Sequence, residues 1–189
     1  MAEAVRAEGY PSELSHVVTL ADGSGARIRP IRPDDEPGLV DLYERLSRRS
    51  AYQRFFTVRR QLPQNWYHAF ANVDYTSRLA LVAERETVAG WRLIGVGRYE
   101  PSEEAGVAEV ATVVEDGWQG RGLGAILLDE ALRAAETRGI HRFRAYVLAD
   151  NQPMLRLLAT HTQVDERKME EGVVELTFRR RDPGEAGSG

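Results

Sequence analysis

The 189-residue sequence contains no cysteine. Disulfide bonds, thiolate metal sites and a cysteine nucleophile are therefore excluded. No window approaches the run of about 20 apolar residues that a membrane-spanning helix needs, and the N-terminal segment lacks the apolar stretch of a signal peptide. These absences lead us to expect a cytoplasmic protein that does not associate with a membrane.

The net charge and the spacing of the histidines argue against two further kinds of ligand, nucleic acids and metal ions. The 25 basic and 29 acidic residues give a net charge of −4, which argues against general binding to a polyanion, so we expect no nucleic-acid partner. The four histidines are scattered and none has a carboxylate at ligand spacing. We therefore predict no metal site. A P-loop and a Gly-x-Ser-x-Gly elbow are absent as well.

The composition is otherwise that of one globular domain. Hydrophobic residues make up 42% and charged residues 29% of the chain, both close to the averages for such proteins. The length also suits one domain better than two. We predict a loose N-terminal arm over residues 1–25 with room for one short strand, a single domain over residues 26–180 and a disordered tail over residues 181–189.

Hydrophobic periodicity predicts a mixed α/β (α+β) domain with about four helices. Short connections between the apolar segments over residues 78–116 predict an antiparallel meander of three strands. A strand, a helix and another strand then follow within about 40 residues, which requires a right-handed parallel crossover. A short helix from Asn151 to about Thr160 and a final hairpin that turns at Gly172 complete the domain.

Gly120, Gly122 and Gly124 lie between an apolar strand and an amphipathic helix. A helix start of this kind exposes backbone N–H groups, and the helix dipole adds about half a positive charge there. Phosphate is the natural ligand, because glycine leaves room for its oxygens or permits a positive φ. Two other interpretations stay open. The glycines could only turn the chain, or Gly120-x-Gly122-x-x-Ala125 could be a dinucleotide-binding fingerprint with Asp150 as the ribose acid, although five residues separate the strand from the first glycine.

The stretch "QGRGLG" that begins at Gln119 resembles the pyrophosphate-binding motif Gln-x-x-Gly-x-Gly of the GNAT superfamily of N-acetyltransferases. The order of elements over residues 26–180 is similar too. The resemblance implies a mainly antiparallel sheet that splays beside the cofactor site, and acetyl-CoA as cosubstrate. It also implies that backbone amides of the loop, the edge of the preceding strand and an asparagine hold acetyl-CoA. The residues so implied are Thr112, Val113, Val114, Gln119, Gly120, Arg121, Gly122, Leu123, Gly124, Ala125 and Asn151.

Asn151 and Glu109 have alternative roles. The asparagine can cap the helix that follows it, and this role is compatible with cofactor contact. Glu109 lies in "VAEVATVV", where an acid is poorly suited to its β-branched and small neighbours. In a central strand, partial desolvation would raise the pKa of its carboxyl and make it a better base near neutral pH. On a solvated strand face it would be an ordinary surface acid.

Three separate segments, "RIRPIRPDD", "SRRSAYQRFF" and "AEVATVVEDGWQGRGLG", look like the catalytic domain of Pat-type bacterial protein lysine acetyltransferases. This resemblance implies Glu109 as general base and a lysine of a protein substrate, such as an acyl-CoA synthetase, as acceptor. The sequence departs from many GNAT members at Leu158, where they place a tyrosine that protonates the leaving thiolate. Coenzyme A is a good leaving group, so water can take over this step.

The segment over residues 45–60 concentrates six arginines together with Tyr52, Phe55 and Phe56. Such interleaving is compatible with nucleic-acid binding, with selection of an acidic patch on a protein substrate, or with a solvated surface above a few core aromatics. Tyr52, Trp66 and Tyr75 are further candidates for the wall of an acceptor pocket, but core or surface positions are favoured for each of them.

Together these features predict direct acetyl transfer from acetyl-CoA to an amine in a ternary complex, with a protein lysine as acceptor by resemblance. Two alternatives remain from the sequence. One is acetylation of a small-molecule amine, and the other is a module that binds acyl-CoA without transferring the acyl group.

Overall fold

An eight-stranded mixed sheet forms the centre of the protein in the computed structural model, which describes residues 9–57, 59 and 61–181. The strands are β1 (His16–Thr19), β2 (Gly25–Pro30), β3 (Leu79–Thr87), β4 (Gly90–Pro101), β5 (Val107–Val114), β6 (Arg142–Leu148), β7 (Thr162–Glu170) and β8 (Val173–Arg180). The α-helices of this part of the chain are α1 (Glu36–Arg45), α2 (Arg48–Phe55), α3 (Gln64–Ala71), α4 (Leu123–Glu136) and α5 (Gln152–His161).

The order of strands across the sheet is β1-β2-β3-β4-β5-β6-β8-β7. The pairing of β5 with β6 is parallel and all the other pairings are antiparallel. Helix α4 makes the crossover that a parallel pair of consecutive strands requires. The predicted fold class is confirmed, with its antiparallel meander β3-β4-β5, its single parallel unit β5-α4-β6 and its final hairpin.

The parallel pairing of β5 with β6 is short. It joins Val107 to Arg142, Ala108 to Phe143 and Glu109 to Arg144, and it ends there. Beyond this point β5 continues to pair with β4, and β6 continues to pair with β8. The two strands therefore diverge, and the sheet opens into a V whose apex lies at Glu109.

Each face of the sheet has its own hydrophobic core. Helix α4 covers one face because its apolar positions recur every three to four residues, and its leucines Leu123, Leu127, Leu128 and Leu132 are fully buried there. Helices α1, α2 and α3 cover the other face around Ile31, Leu42 and Val82. The V between β5 and β6 thus opens in a sheet that has a hydrophobic core on each of its two faces.

Helix α2 differs from the sequence expectations, whereas a short strand in the N-terminal arm agrees with them. Helix α2 is not predicted by periodicity, because only Ala51 of its eight residues is buried. It begins instead at a local cap, where the Ser47 hydroxyl accepts a hydrogen bond from the Ser50 N–H at 3.1 Å. Within the predicted N-terminal arm, β1 pairs with β2 in the sheet. Residues 1–8 and most of the predicted tail, residues 182–189, lie outside the described residues.

No helix in the described part of the chain is both long enough and apolar enough to cross a membrane.

The close approach of α4 to β4 depends on Gly97. A Cβ at this position would lie 2.7 Å from the carbonyl oxygen and 2.9 Å from the Cβ of Leu127. Gly97→Ala should therefore lower the free energy of unfolding by about 2 kcal/mol or more, because the backbone of α4 must move away from the sheet. Denaturant titration of this variant and of Gly117→Ala measures the effect. A Cβ at Gly117 meets no atom within 4 Å, so equal losses from both substitutions would contradict the packing argument.

Candidate active site

A cleft of about 350 Å³ occupies the V between β5 and β6. The N-termini of α4 and α5 close one end of it, and α2 forms a further wall. The residues predicted from the sequence that line this cleft are Glu109, Thr112, Val113, Val114, Gln119, Gly120, Gly122, Gly124, Ala125 and Asn151. The fold therefore brings together residues that are up to 42 positions apart in the chain.

The glycine loop leaves the start of α4 open. Gly120 and Gly122 have φ angles of +71° and +86°, a conformation that favours glycine. A Cβ added at either position would meet no protein atom within 4 Å, so the space above the loop is free for a ligand. No side chain caps α4. Its first N–H groups, at Leu123, Gly124 and Ala125, are therefore available to an anion, and the 14-residue helix adds its dipole.

The free edge of β5 forms one wall of the cleft. Thr112, Val113 and Val114 pair with Gly97, Val96 and Gly95 of β4, which leaves their other side without a strand partner. The hydroxyl of Thr112 is buried and has no hydrogen-bond partner among the described residues. A ligand arm that carries amides fits this wall, because it can pair with strand backbone as an additional strand would.

Glu109 lies at the apex of the V, on the last residue pair that β5 shares with β6. Its side chain remains accessible from the cleft. Partial burial nevertheless raises the pKa of its carboxyl, and the negative charge of Glu100, its neighbour across the β4–β5 pairing, raises it further. The cations of Arg54 and Arg144 act in the opposite direction. The net result is a carboxyl that is more basic than an ordinary glutamate.

Gln119 ties the glycine loop to two walls of the cleft. Its Nε2 donates to the carbonyl oxygen of Val114 at 2.9 Å and to the hydroxyl of Ser50 at 3.2 Å. The side-chain oxygen of Asn151 accepts from the N–H of Met154 at 3.3 Å and so caps α5. Asn151 therefore has the capping role that the sequence allowed, and it faces the cleft as well.

Two of the predicted residues have side chains that point elsewhere. Leu123 is fully buried in the core below α4. The Arg121 guanidinium pairs with Asp22 at 2.7 Å and lies over the ring of Trp118. Only the backbone amides of Arg121 and Leu123 are thus candidates for ligand contact. Leu158, at the position where other GNAT members place a tyrosine, is also fully buried.

Tyr52, Trp66 and Tyr75 occupy the core and surface positions that the sequence favoured, and none of them lines the cleft. Tyr75 is buried and donates its hydroxyl proton to the carbonyl oxygen of Ile31 at 2.9 Å. Tyr52 and Trp66 are exposed and do not line the cleft. Sequence reasoning missed several residues that do line it, namely Ser50, Gln53, Arg54, Phe56, Tyr146, Met154 and Leu157. The run of arginines and aromatics over residues 45–60 was the available signal for the first four.

No group of three or more histidine, aspartate and glutamate side chains is arranged to hold a metal ion in the described ranges.

The sequence and the fold both resemble those of known proteins. Residues 39–161 match the model of the acetyltransferase (GNAT) family. Acetyltransferase PA5475 of Pseudomonas aeruginosa is 28% identical over 138 residues, which cover 73% of this chain and 74% of that protein. Acetyltransferase Pat of Mycolicibacterium smegmatis is 30% identical over 145 residues, which cover 75% of this chain.

The chain spans only 42% of the length of that Pat protein. The structure of the GNAT domain of S. lividans PAT superimposes with a TM-score of 0.80 at 37% identity. This match covers 90% of the present chain and 99% of that domain. Because the family model extends from α1 through the splayed strands and the glycine loop to the end of α5, the chain belongs to the acetyltransferase (GNAT) family.

Proposed function

We propose that this N-acetyltransferase transfers the acetyl group of acetyl-CoA directly to the ε-amine of a lysine in a protein substrate. The observation that carries the proposal is the position of Glu109, at the apex of a cleft whose strand edge and glycine loop are both free. The identity to Pat of M. smegmatis and to the GNAT domain of S. lividans PAT supports the choice of acceptor.

The free backbone groups of the cleft fit acetyl-CoA, which supplies the activated acetyl thioester. The N–H groups of the glycine loop and of the first turn of α4 would bind the pyrophosphate. The edge of β5 at Thr112, Val113 and Val114 would pair with the amides of the pantetheine arm. Asn151, at the start of α5, would contact the same arm from the opposite side of the cleft.

Glu109 would accept the proton that the acceptor ammonium must lose. An amine with a pKa of about 10.4 is neutral to only about 0.1% at pH 7.4, and only the neutral form attacks a thioester. The raised pKa of the Glu109 carboxyl brings it closer to the working pH, which favours proton transfer. The buried Leu158 has no proton to give, so water in the open cleft would protonate the leaving thiolate.

The acceptor class is tested by incubating the protein with labelled acetyl-CoA and either a bacterial lysate or a panel of small amines. Label on protein lysines supports the proposal. Turnover only on small amines would instead favour the small-molecule alternative, and binding of acetyl-CoA without turnover on either would favour a non-catalytic module.

The role of Glu109 predicts that Glu109→Gln lowers kcat by about a hundredfold or more, since the variant has no proton acceptor. The KM for acetyl-CoA should change little, because Glu109 lies at the acceptor end of the cleft. Steady-state kinetics with labelled acetyl-CoA, and with the lysate proteins as acceptor, measure both values. Glu103→Gln removes an exposed acid from the nearby β4–β5 loop and serves as the control. Full activity of Glu109→Gln would remove Glu109 as the base.

The raised pKa of Glu109 also predicts the acid side of the pH profile. Only the carboxylate accepts a proton, so kcat/KM should fall as the pH decreases through this pKa, above the ordinary value for glutamate. Glu100→Gln removes one cause of the raised Glu109 pKa, so the decrease of kcat/KM on the acid side should move to lower pH. If the acid-side decrease of kcat/KM stays in place or moves to higher pH in Glu100→Gln, the electrostatic argument is contradicted.

Gly120 of the glycine loop has a matched control in Gly106, which lies between β4 and β5. Gly120 and Gly106 have similar φ angles, +71° and +78°, and a Cβ meets no atom within 4 Å at either position. Alanine therefore introduces similar backbone strain at both, but only Gly120 lines the cleft. We expect Gly120→Ala to weaken CoA binding about tenfold or more, and Gly106→Ala to leave it nearly unchanged. Isothermal titration with CoA measures the difference, and equal affinities would exclude the loop as the pyrophosphate site.

A further inference from the structure

The outer surface of α2 carries a stripe that leads to the mouth of the cleft. Arg49 and Gln53 lie one turn apart on one side of α2, and Phe56 follows as the residue that caps the end of the helix. Tyr52 and Phe56 are each 42% exposed, which is high for aromatic side chains, and Phe56 also lines the cleft. The stripe therefore joins a cation at one end of α2 to the candidate active site at the other.

The two arginines at the start of α2 form no ion pair in the described part of the protein, and the Asp116 carboxylate near them is bonded to Ser47 and Ser50. Arg48 and Arg49 are both exposed, and neither forms an ion pair or a hydrogen bond with a described residue. Helix α2 contains no acid. The acids that precede it on α1 are engaged elsewhere, because Asp41 pairs with Arg45 and Glu44 accepts a hydrogen bond from Gln61.

Helix α2 is also held in place relative to the glycine loop. Asp116, just before that loop, accepts hydrogen bonds from the Ser47 N–H at 2.9 Å, the Ser47 hydroxyl at 2.7 Å and the Ser50 hydroxyl at 2.8 Å. These bonds hold the pKa of the Asp116 carboxyl below its usual value despite partial burial, so it remains charged. The position of α2 relative to the cleft is thus fixed before a ligand binds to the helix.

We infer that α2 is the docking surface for the protein substrate, and that it selects an acceptor lysine with acidic residues three or four positions away in the sequence. This inference rests on the proposed function and adds the substrate motif. The guanidinium groups of Arg48 and Arg49 attract the acids, and the exposed rings of Tyr52 and Phe56 contact the intervening chain.

The spacing follows from the lengths of the two backbones. Arg48 and Arg49 precede Phe56 by eight and seven residues, which corresponds to about 11–12 Å along a helix that rises 1.5 Å per residue. An extended peptide covers this distance in about three to four residues at 3.3 Å each. A lysine that enters the cleft beside Phe56 therefore places residues at this separation opposite the two arginines.

Synthetic peptides test this motif. Each peptide has one central lysine and two glutamates three and four residues to its N-terminal or C-terminal side, and its matched partner has glutamines there. We expect kcat/KM for one of the two glutamate peptides to exceed that of its glutamine partner about three- to tenfold at low salt, the range for two exposed ion pairs. The advantage should decrease as salt is added, because exposed charges are screened.

The double variant Arg48→Glu/Arg49→Glu should abolish this preference or reverse it. The control is Arg156→Glu/Arg167→Glu, which makes the same change in net charge at two exposed arginines on α5 and β7 and should retain the preference. Calorimetric binding of the same peptides in the presence of CoA gives a readout that does not depend on turnover.

The outcomes separate the two proposals. Acetylation of all the peptides at equal rates by the wild type and the Arg48→Glu/Arg49→Glu variant overturns the docking inference but leaves lysine acetylation intact. If no peptide and no protein lysine is acetylated, the proposed function fails. Equal binding of glutamate and glutamine peptides then overturns the docking surface as well. Tighter binding of a single-stranded oligonucleotide than of the glutamate peptides, at physiological salt, would assign this surface to nucleic acid and overturn the inference too.

Discussion

The pairing between β5 and β6 ends after three residue pairs, and the candidate site depends on this early end. A sheet that remained closed would satisfy the backbone groups of β5 on both sides and leave no room between the strands. Because β6 diverges from β5 after Glu109, the last five residues of β5 have no strand partner on one side, within the interior of the sheet. The cost of these unpaired groups is acceptable only where a ligand or water can bind them.

The same divergence sets the positions of the chemical groups. Helix α4 must cross the sheet to connect the parallel strands, and its N-terminus therefore lies at the open end of the V. Glu109 lies at the closed end. A molecule with a phosphate group at one end and a reactive thioester at the other can thus contact the helix start and approach the carboxylate in one extended conformation. Gly97 lets α4 lie close to β4 and so keeps this arrangement compact.

Electrostatics divide the cleft into two regions. The glycine loop and the start of α4 contribute partial positive charge from backbone groups alone, which suits an anion. At the other end, Glu100 and burial make Glu109 more basic, while Arg54 and Arg144 limit the shift. The charge of Asp116 has a structural use, because it fixes α2 to the segment that precedes the loop.

The sequence by itself determined the fold class and the family, because these depend on local periodicity and on a short glycine motif whose Gly120 and Gly122 adopt positive φ. It also identified Glu109 as an acid out of place in an apolar strand. It did not reveal α2, since a helix with one buried residue leaves no periodic pattern. The residue that holds the start of α2 through Ser47 and Ser50 is Asp116, which is distant in the chain. The sequence also could not position the aromatic residues Tyr52, Trp66 and Tyr75. Only the packed structure sets burial and helix orientation, and it places Tyr75 in the core and the other two on the surface. The tertiary structure alone decided where β5 and β6 part, because strand pairing is a contact between residues about 35 positions apart that neither segment encodes by itself.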